Sequence, residues 1–187
     1  MKSKNGFILS FFMMIIIGSC TIYEKTFDNP VDYKANEELG VESPAIVFYP
    51  KTQTVTQIDS IILGSFIVFQ GDSTHPFSGV HLQIQFPNNL MQLDTVVPGL
   101  FITDTNQSTP LFVYTYDNDE TIDIYSYFID TVKIEIEGTG HLADIIFSPI
   151  MSGFDSIYYN LQSCEIIDYE ENLIEVNGER GAEIIIE

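Results

Sequence analysis

Gly79-Val80-His81-Leu82-Gln83-Ile84-Gln85-Phe86-Pro87 is the stretch on which the fold turns. Val80, Leu82, Ile84 and Phe86 recur at every second position, with His81, Gln83 and Gln85 between them. A period of two sends alternate side chains to opposite sides of an extended strand, so the segment reads as one wall of an apolar core with a wetted outer surface. The chain end repeats the pattern, with Ala182, Ile184 and Ile186 on one side and Glu183 and Glu187 on the other. Val132, Ile134 and Ile136 alternate in the same way with Lys133, Glu135 and Glu137.

Outward from this strand the texture stays constant from Pro44 to the end. Apolar and β-branched runs alternate with short Gly, Pro, Asn and Asp clusters, the pattern of an all-β sandwich and not of βαβ units. Strands are predicted over 45–49, 53–57, 61–69, 79–86, 91–96, 111–116, 121–128, 132–137, 141–147, 155–161, 164–168, 172–176 and 182–186. Some of these are bends or single rungs of one strand, which leaves a jelly-roll-like β-sandwich of about nine true strands. IILGSFIVF (61–69) and LFVYTY (111–116) are apolar or aromatic on both sides, so each is either a central strand or the bearer of an exposed patch. Pro87-Asn88-Asn89-Leu90 reads as a turn.

The 187 residues suffice for one core of ordinary size and carry 7 Lys+Arg against 27 Asp+Glu, a net charge of −20. Such a surface repels phosphate backbones and anionic lipid, which excludes nucleic acid as a partner and charge-driven adhesion to membranes. At 45% apolar and 13% aromatic residues, the composition supports a folded core despite the charge.

Residues 1–20 read MKSKNGFILSFFMMIIIGSC. Two lysines precede an apolar run from Phe7 to Ile17, too short to cross about 30 Å of hydrocarbon and suited to a signal peptide. Ile17-Gly18-Ser19-Cys20 resembles the lipobox of bacterial lipoproteins. That resemblance implies cleavage before Cys20, acylation of the cysteine with fatty acids such as palmitate, and an extracytoplasmic place in the bacterial envelope, at the outer membrane or cell surface. Several acyl chains anchor a protein stably without a spanning helix, so contact with the membrane is expected through lipid alone. Loss of Lys2 and Lys4 with residues 1–19 leaves 5 basic and 27 acidic side chains, a charge of −22. Residues 20–43 then form the lipidated cysteine and a tether, flexible or loosely packed, whose Tyr23, Phe27 and Tyr33 offer rings for docking onto the domain. The domain proper is expected over 44–187. Cys164, left without an intrachain partner, reads as a small buried hydrophobe.

Taken whole, 45–187 resembles the cohesin family, within a wider group of β-sandwiches that includes bacterial carbohydrate-binding modules. AIVFYPKTQTVTQIDSIILGSFIVFQ (45–70) is similar to the family's opening pair of strands. GVHLQIQFPNNLMQLDTVVPG (79–99) is similar to its Gly-led alternating strand, turn, short strand and closing Gly, with Pro87-Asn88 where the family carries Asp-Pro. GHLADIIF (140–147) and ENLIEVNGERGAEIII (171–186) resemble its later Gly-to-Phe step and closing hairpin. The resemblance implies a non-catalytic module that binds dockerin modules or other proteins through one sheet face, in the service of polysaccharide-degrading assemblies. Direct binding of a glycan is the alternative it leaves open, and a structural envelope role is a third. No duplicated calcium-binding segment like a dockerin's occurs, so this chain stands as the receptor half.

Nothing in the sequence sets up a reaction. Hydrolysis of a glycosidic bond needs two carboxyl groups about 5–10 Å apart across a cleft, and no such pair is identifiable among residues that sit at turns and on polar strand faces. His75, His81 and His141 lack metal spacing, and no Gly-rich phosphate loop opens a helix. Asp117-Asn118-Asp119-Glu120, with Asp123 nearby, offers the hard oxygens calcium takes, but lacks EF-hand spacing and fits a hairpin turn equally well. Asp168–Asn172 is a second acidic loop of the same kind. No cofactor is implied otherwise. For binding, Tyr114, Tyr116, Tyr125 and Tyr127 form the candidate face. Tyr125 and Tyr127 alternate with Ile122 and Ile124 and so share a side, either exposed together or buried on a second sheet.

Overall fold

The alternating segment forms a central strand, and the sheets are organised around it. The structure, a computed structural model, describes residues 31–70, 76–103, 109–117, 120–129 and 133–187. The lipobox, Cys20, Tyr23, Phe27, His75, Asn118, Asp119 and Val132 lie outside the described residues. Among the described residues there are thirteen strands: β1 (Ala45–Tyr49), β2 (Thr52–Val55), β3 (Ile61–Val68), β4 (Gly79–Gln85), β5 (Met91–Pro98), β6 (Leu111–Asp117), β7 (Thr121–Tyr127), β8 (Gly140–Pro149), β9 (Gly153–Tyr159), β10 (Glu165–Ile167), β11 (Leu173–Ile174), β12 (Gly178–Arg180) and β13 (Ala182–Ile186). Nine of them have five residues or more. Two short helices accompany them, α1 (Tyr33–Glu37) and α2 (Leu100–Thr103).

Two sheets face each other. One runs β12-β1-β3-β8-β5. The other runs β2-β13-β9-β4-β7-β6, and the β10-β11 hairpin shares one edge of β4 with β9. Pairing is antiparallel except where β12 meets β1 and β13 meets β2. Ile46, Phe48, Ile61, Leu63 and Ile67 from the first sheet meet Leu82, Ile84, Ile122, Ile124, Ile157 and Ile184 from the second, all essentially inaccessible. Each such side chain contributes about 1.5–3 kcal/mol by leaving water.

Polar side chains inside this core are hydrogen-bonded both between the sheets and within one. Tyr159 of β9 stacks on Phe48 of β1 with centroids 4.2 Å apart, and its hydroxyl lies 2.8 Å from Ser65 Oγ of β3. Alternation along β3 places Ser65 inward beside Leu63 and Ile67 and Phe66 outward, where its ring stacks on His141 at 4.8 Å; the register shift opposite them leaves Leu142 of β8 without a partner in the pairing. Arg180, also buried, donates from Nη2 to the Phe48 carbonyl at 3.2 Å.

Two sequence expectations change. Residues 133–137 are not a strand: Ile136 makes one bridge to Phe77, while Ile134 and Ile136 are buried and Lys133 and Glu137 exposed. The alternation there records extended backbone lying on the core, which needs no strand partner. Residues 31–43, assigned to the tether, are packed from Val31 onward. Asp32 caps α1 by accepting the Ala35 N–H at 2.8 Å, and Gly40, in the left-handed region at φ +77°, reverses the chain so that the Val41 N–H reaches the Asn36 carbonyl. Tyr33 and Val41 then cover Ala45, Val47 and Val68 on the outer surface of the five-stranded sheet.

Candidate functional site

The outer face of β6-β7-β4-β9 is built in rows, because strand register places residues of neighbouring strands side by side. Gly79 of β4 pairs with Tyr127 of β7 and Ile167 of β10, Tyr127 pairs onward with Leu111 of β6, and Ile167 with Leu173 of β11. The next row is Val113, Tyr125, His81 and Glu165. Thr115, Asp123 and Gln83 follow, and the last row is Asp117, Thr121, Gln85 and Tyr158. The face therefore grades from apolar to acidic along the strands. Leu111, Val113 and Leu173 expose 48%, 42% and 70% of their surface, far more than their hydrophobicity favours in a face that meets only water.

Packing fixes the aromatic groups. Gly79 has no side chain, and the Tyr127 ring occupies the space where a Cβ would stand. Burial there raises the Tyr127 phenol pKa, and the nearby Glu165 and Tyr125 push the same way. The Tyr125 ring stacks on His81 with centroids 4.4 Å apart and planes 4° from parallel. His81 Nε2 lies 2.8 Å from Asp123 Oδ1, and Gln83 Nε2 donates to the same oxygen at 3.0 Å.

Gln83 marks the fork where β4 exchanges one neighbour for another. Its carbonyl accepts the Asn160 N–H at 2.9 Å, its side-chain oxygen accepts from Asn160 Nδ2 at 2.6 Å, and its own N–H points to Cys164 Sγ at 3.3 Å. A 3-10 turn at Leu161–Ser163 spans the fork from β9 to β10. Burial pushes the Cys164 thiol up to about 11, with the Gln83 N–H opposing. The sulfur is thus a protonated packing group, unsuited to nucleophilic work.

The four candidate tyrosines divide into two pairs. Tyr125 and Tyr127 lie on the outer face, half-buried. Tyr114 and Tyr116 are cross-strand partners of the inward-facing Ile124 and Ile122, so they lie on the opposite side of β6, where the hairpin overhangs the core and Tyr116 meets Phe86 at 5.8 Å. The single face expected of all four is corrected to one of Tyr125 and Tyr127 with Leu111, Val113, His81 and Ile167, which the sequence left unassigned. The only sequence signal for the β6 members was LFVYTY itself, whose two apolar sides do not say which faces out.

Of the acidic candidates, Asp117 and Glu120 flank the β6-β7 turn, whereas the Asp123 carboxylate belongs to the His81 and Gln83 contacts. Asp168 accepts the N–H groups of Glu170 and Asn172 and the Asn172 side-chain amide, at 2.8–2.9 Å, and these bonds lower its pKa. Its oxygens serve the turn itself. His81 and His141 stand in different sheets; His141 Nε2 comes within 2.9 Å of Asp144 Oδ1 but outside hydrogen-bonding angles. Among the described residues, no group of three His, Cys, Asp or Glu side chains is placed to hold a metal ion.

A recess of about 410 Å³ opens beside the last row, lined in part by Gln85, Phe86, Asn89, Glu120, Asp155 and Tyr158. It brings two carboxylates and an exposed ring to the acidic end of the face.

The two-sheet order and this packing define a cohesin-like β-sandwich. Solved structures agree: the chain is similar to the complex of a dockerin with the cohesin CaCohA2, of Clostridium acetobutylicum (TM-score 0.63, 16% identity, 76% of this chain and 99% of that one). It is also similar to a type I cohesin–dockerin complex from Clostridium thermocellum (TM-score 0.60, 14% identity, 76% and 99%) and to a non-cellulosomal cohesin from the archaeon Archaeoglobus fulgidus (TM-score 0.57, 19% identity, 76% and 90%). No family model and no curated protein matches the sequence.

Proposed function

We propose that the protein is a non-catalytic binding module that holds a protein partner, of dockerin type or another kind, on the outer face of β6-β7-β4-β9. The observation that carries this reading is the state of the aromatic rings. Tyr127 lies across Gly79, and one side of Tyr125 is taken up by His81, so the face is a broad apolar and hydroxyl-bearing surface rather than a line of open ring platforms for sugars. Two of the similar structures are complexes with dockerins, which supports the choice of partner class. The Ile17–Cys20 sequence supports attachment through lipid on Cys20, at the outer membrane or cell surface, and the likeness to cohesins is what suggests a role in polysaccharide use.

Calorimetric titration of the full chain in detergent with a panel of purified dockerins, beside a polysaccharide array probed with the same preparation, tests the reading. Saturable protein binding that disappears in Tyr125→Ala/Tyr127→Ala, with the melting transition retained, is the expected result. Binding on the array alone would make the protein a carbohydrate-binding module, and silence on both would leave a structural envelope role. Metabolic labelling with a clickable fatty acid tests the anchor: equal label on wild type and Cys20→Ala removes it.

A further inference from the structure

Resting on the reading of this face as a protein-binding surface, we infer that its partner is basic and amphipathic, with apolar side chains set on the Leu111–Tyr127–Ile167 end and a lysine or arginine seated between Glu120 and Asp155 at the other. None of the chain's seven Lys and Arg residues falls in β4, β6, β7, β9, β10 or β11. Carboxylates do: Glu165, Asp123 and Asp117 stand in the second, third and fourth rows, and Glu120 and Asp155 flank the recess beyond them. An acidic partner meets repulsion at every one of these positions, and a neutral polysaccharide leaves the gradient without use.

The recess suits one cationic head in particular. Its carboxylates accept charge-assisted hydrogen bonds, and the Tyr158 ring, half exposed at its wall, attracts a cation to its face. Four rows at two-residue spacing span about 20 Å, so the two halves of the recognition lie far enough apart for one partner element to carry both. A second copy of this chain is disfavoured as occupant, because it brings the same charge of −20 to the same surface.

The test is a random peptide-display library of about 20-residue members, long enough to bridge the rows, selected on the immobilised full chain. Recovered peptides are expected to carry Lys or Arg toward one end and apolar residues toward the other, and to bind about tenfold more weakly when salt rises from about 50 to about 500 mM. Glu120→Lys/Asp155→Lys is expected to weaken them about tenfold. Glu38→Lys/Glu42→Lys, the same change in net charge beside α1, is expected to change affinity less than about twofold. Equal losses in the two double variants would reduce the effect to a general field and overturn the inference. Acidic or neutral peptides that nevertheless require Tyr125 would overturn the basic partner while leaving the face intact. Peptides indifferent to Tyr125→Ala, or none recovered, would remove both readings, as would a dimer in sedimentation that buries this face.

Discussion

The Tyr127 ring lies across the bare backbone of Gly79 on the neighbouring strand, with Ile167 beside it. A methyl group at position 79 would meet the ring first and then Ile167 Cγ1 at 2.9 Å. Gly79→Ala is expected to cost about 1–3 kcal/mol, the range for overpacking a filled site. In a Tyr127→Ala background the same change should cost less than half as much, since the nearer obstruction is gone and only the Ile167 side chain remains. Urea unfolding of the four proteins checks this, and equal costs in both backgrounds would contradict the contact.

Tyr159 and Ser65 join the sheets through one buried hydrogen bond, and each leaves the other unsatisfied when removed. Tyr159→Phe and Ser65→Ala should each cost about 1–3 kcal/mol, and the double variant less than their sum. A double-mutant cycle that returns strict additivity would show that the bond does not form.

The same tyrosine sets an alkaline limit. Burial keeps the Tyr159 phenol neutral in the folded protein, with a pKa well above the ordinary 10.0. The unfolded chain releases that proton first, so stability is intact below pH 10 and declines as pH rises from there toward the folded value. Cys164 acts in the same direction between its ordinary 9.0 and about 11. Urea midpoints should fall across this range, and fall less steeply in Tyr159→Phe. An identical slope in that variant would assign the loss elsewhere.

Cys164 should also resist alkylation. A thiol held at about 11 in place of 9.0 carries about a hundredfold less thiolate near pH 8. Iodoacetamide should therefore modify the folded protein about a hundredfold more slowly than the urea-unfolded chain. Comparable rates would show an open, ionisable sulfur.

Residues 31–43 contribute to stability. Removing them uncovers Ala45, Val47 and Val68 and discards the contacts of Tyr33 and Val41. A protein beginning at Pro44 should be less stable than one beginning at Val31 by about 3–5 kcal/mol, on two partly buried large side chains and the surface they cover. Thermal melting of the two checks this, and equal Tm values would make the segment an ornament.

The sandwich was legible because the core strands alternate. Val80, Leu82 and Ile84 face inward as their spacing predicts, and so do Ala182, Ile184 and Ile186. What the sequence did not disclose is which elements pair and which side of an all-apolar strand faces out. Gly178-Glu179-Arg180 has no strand pattern, and becomes β12 only because it lies parallel to β1 with its backbone against Glu42. Ile134 and Ile136 show the converse, a strand pattern without a strand. The rows of the candidate face depend on register between β4, β6, β7 and β10, a tertiary quantity that no local spacing encodes. That is why Tyr114 and Tyr116 looked like neighbours of Tyr125 and Tyr127.

The docking of α1 also gives the molecule a front and a back. Tyr33 and Val41 fasten the leading segment to the five-stranded sheet, on the side of the sandwich away from β6 and β7. Pulled or moored through residues ahead of Val31, the domain turns its graded surface outward, as a shield is carried by a strap on its reverse.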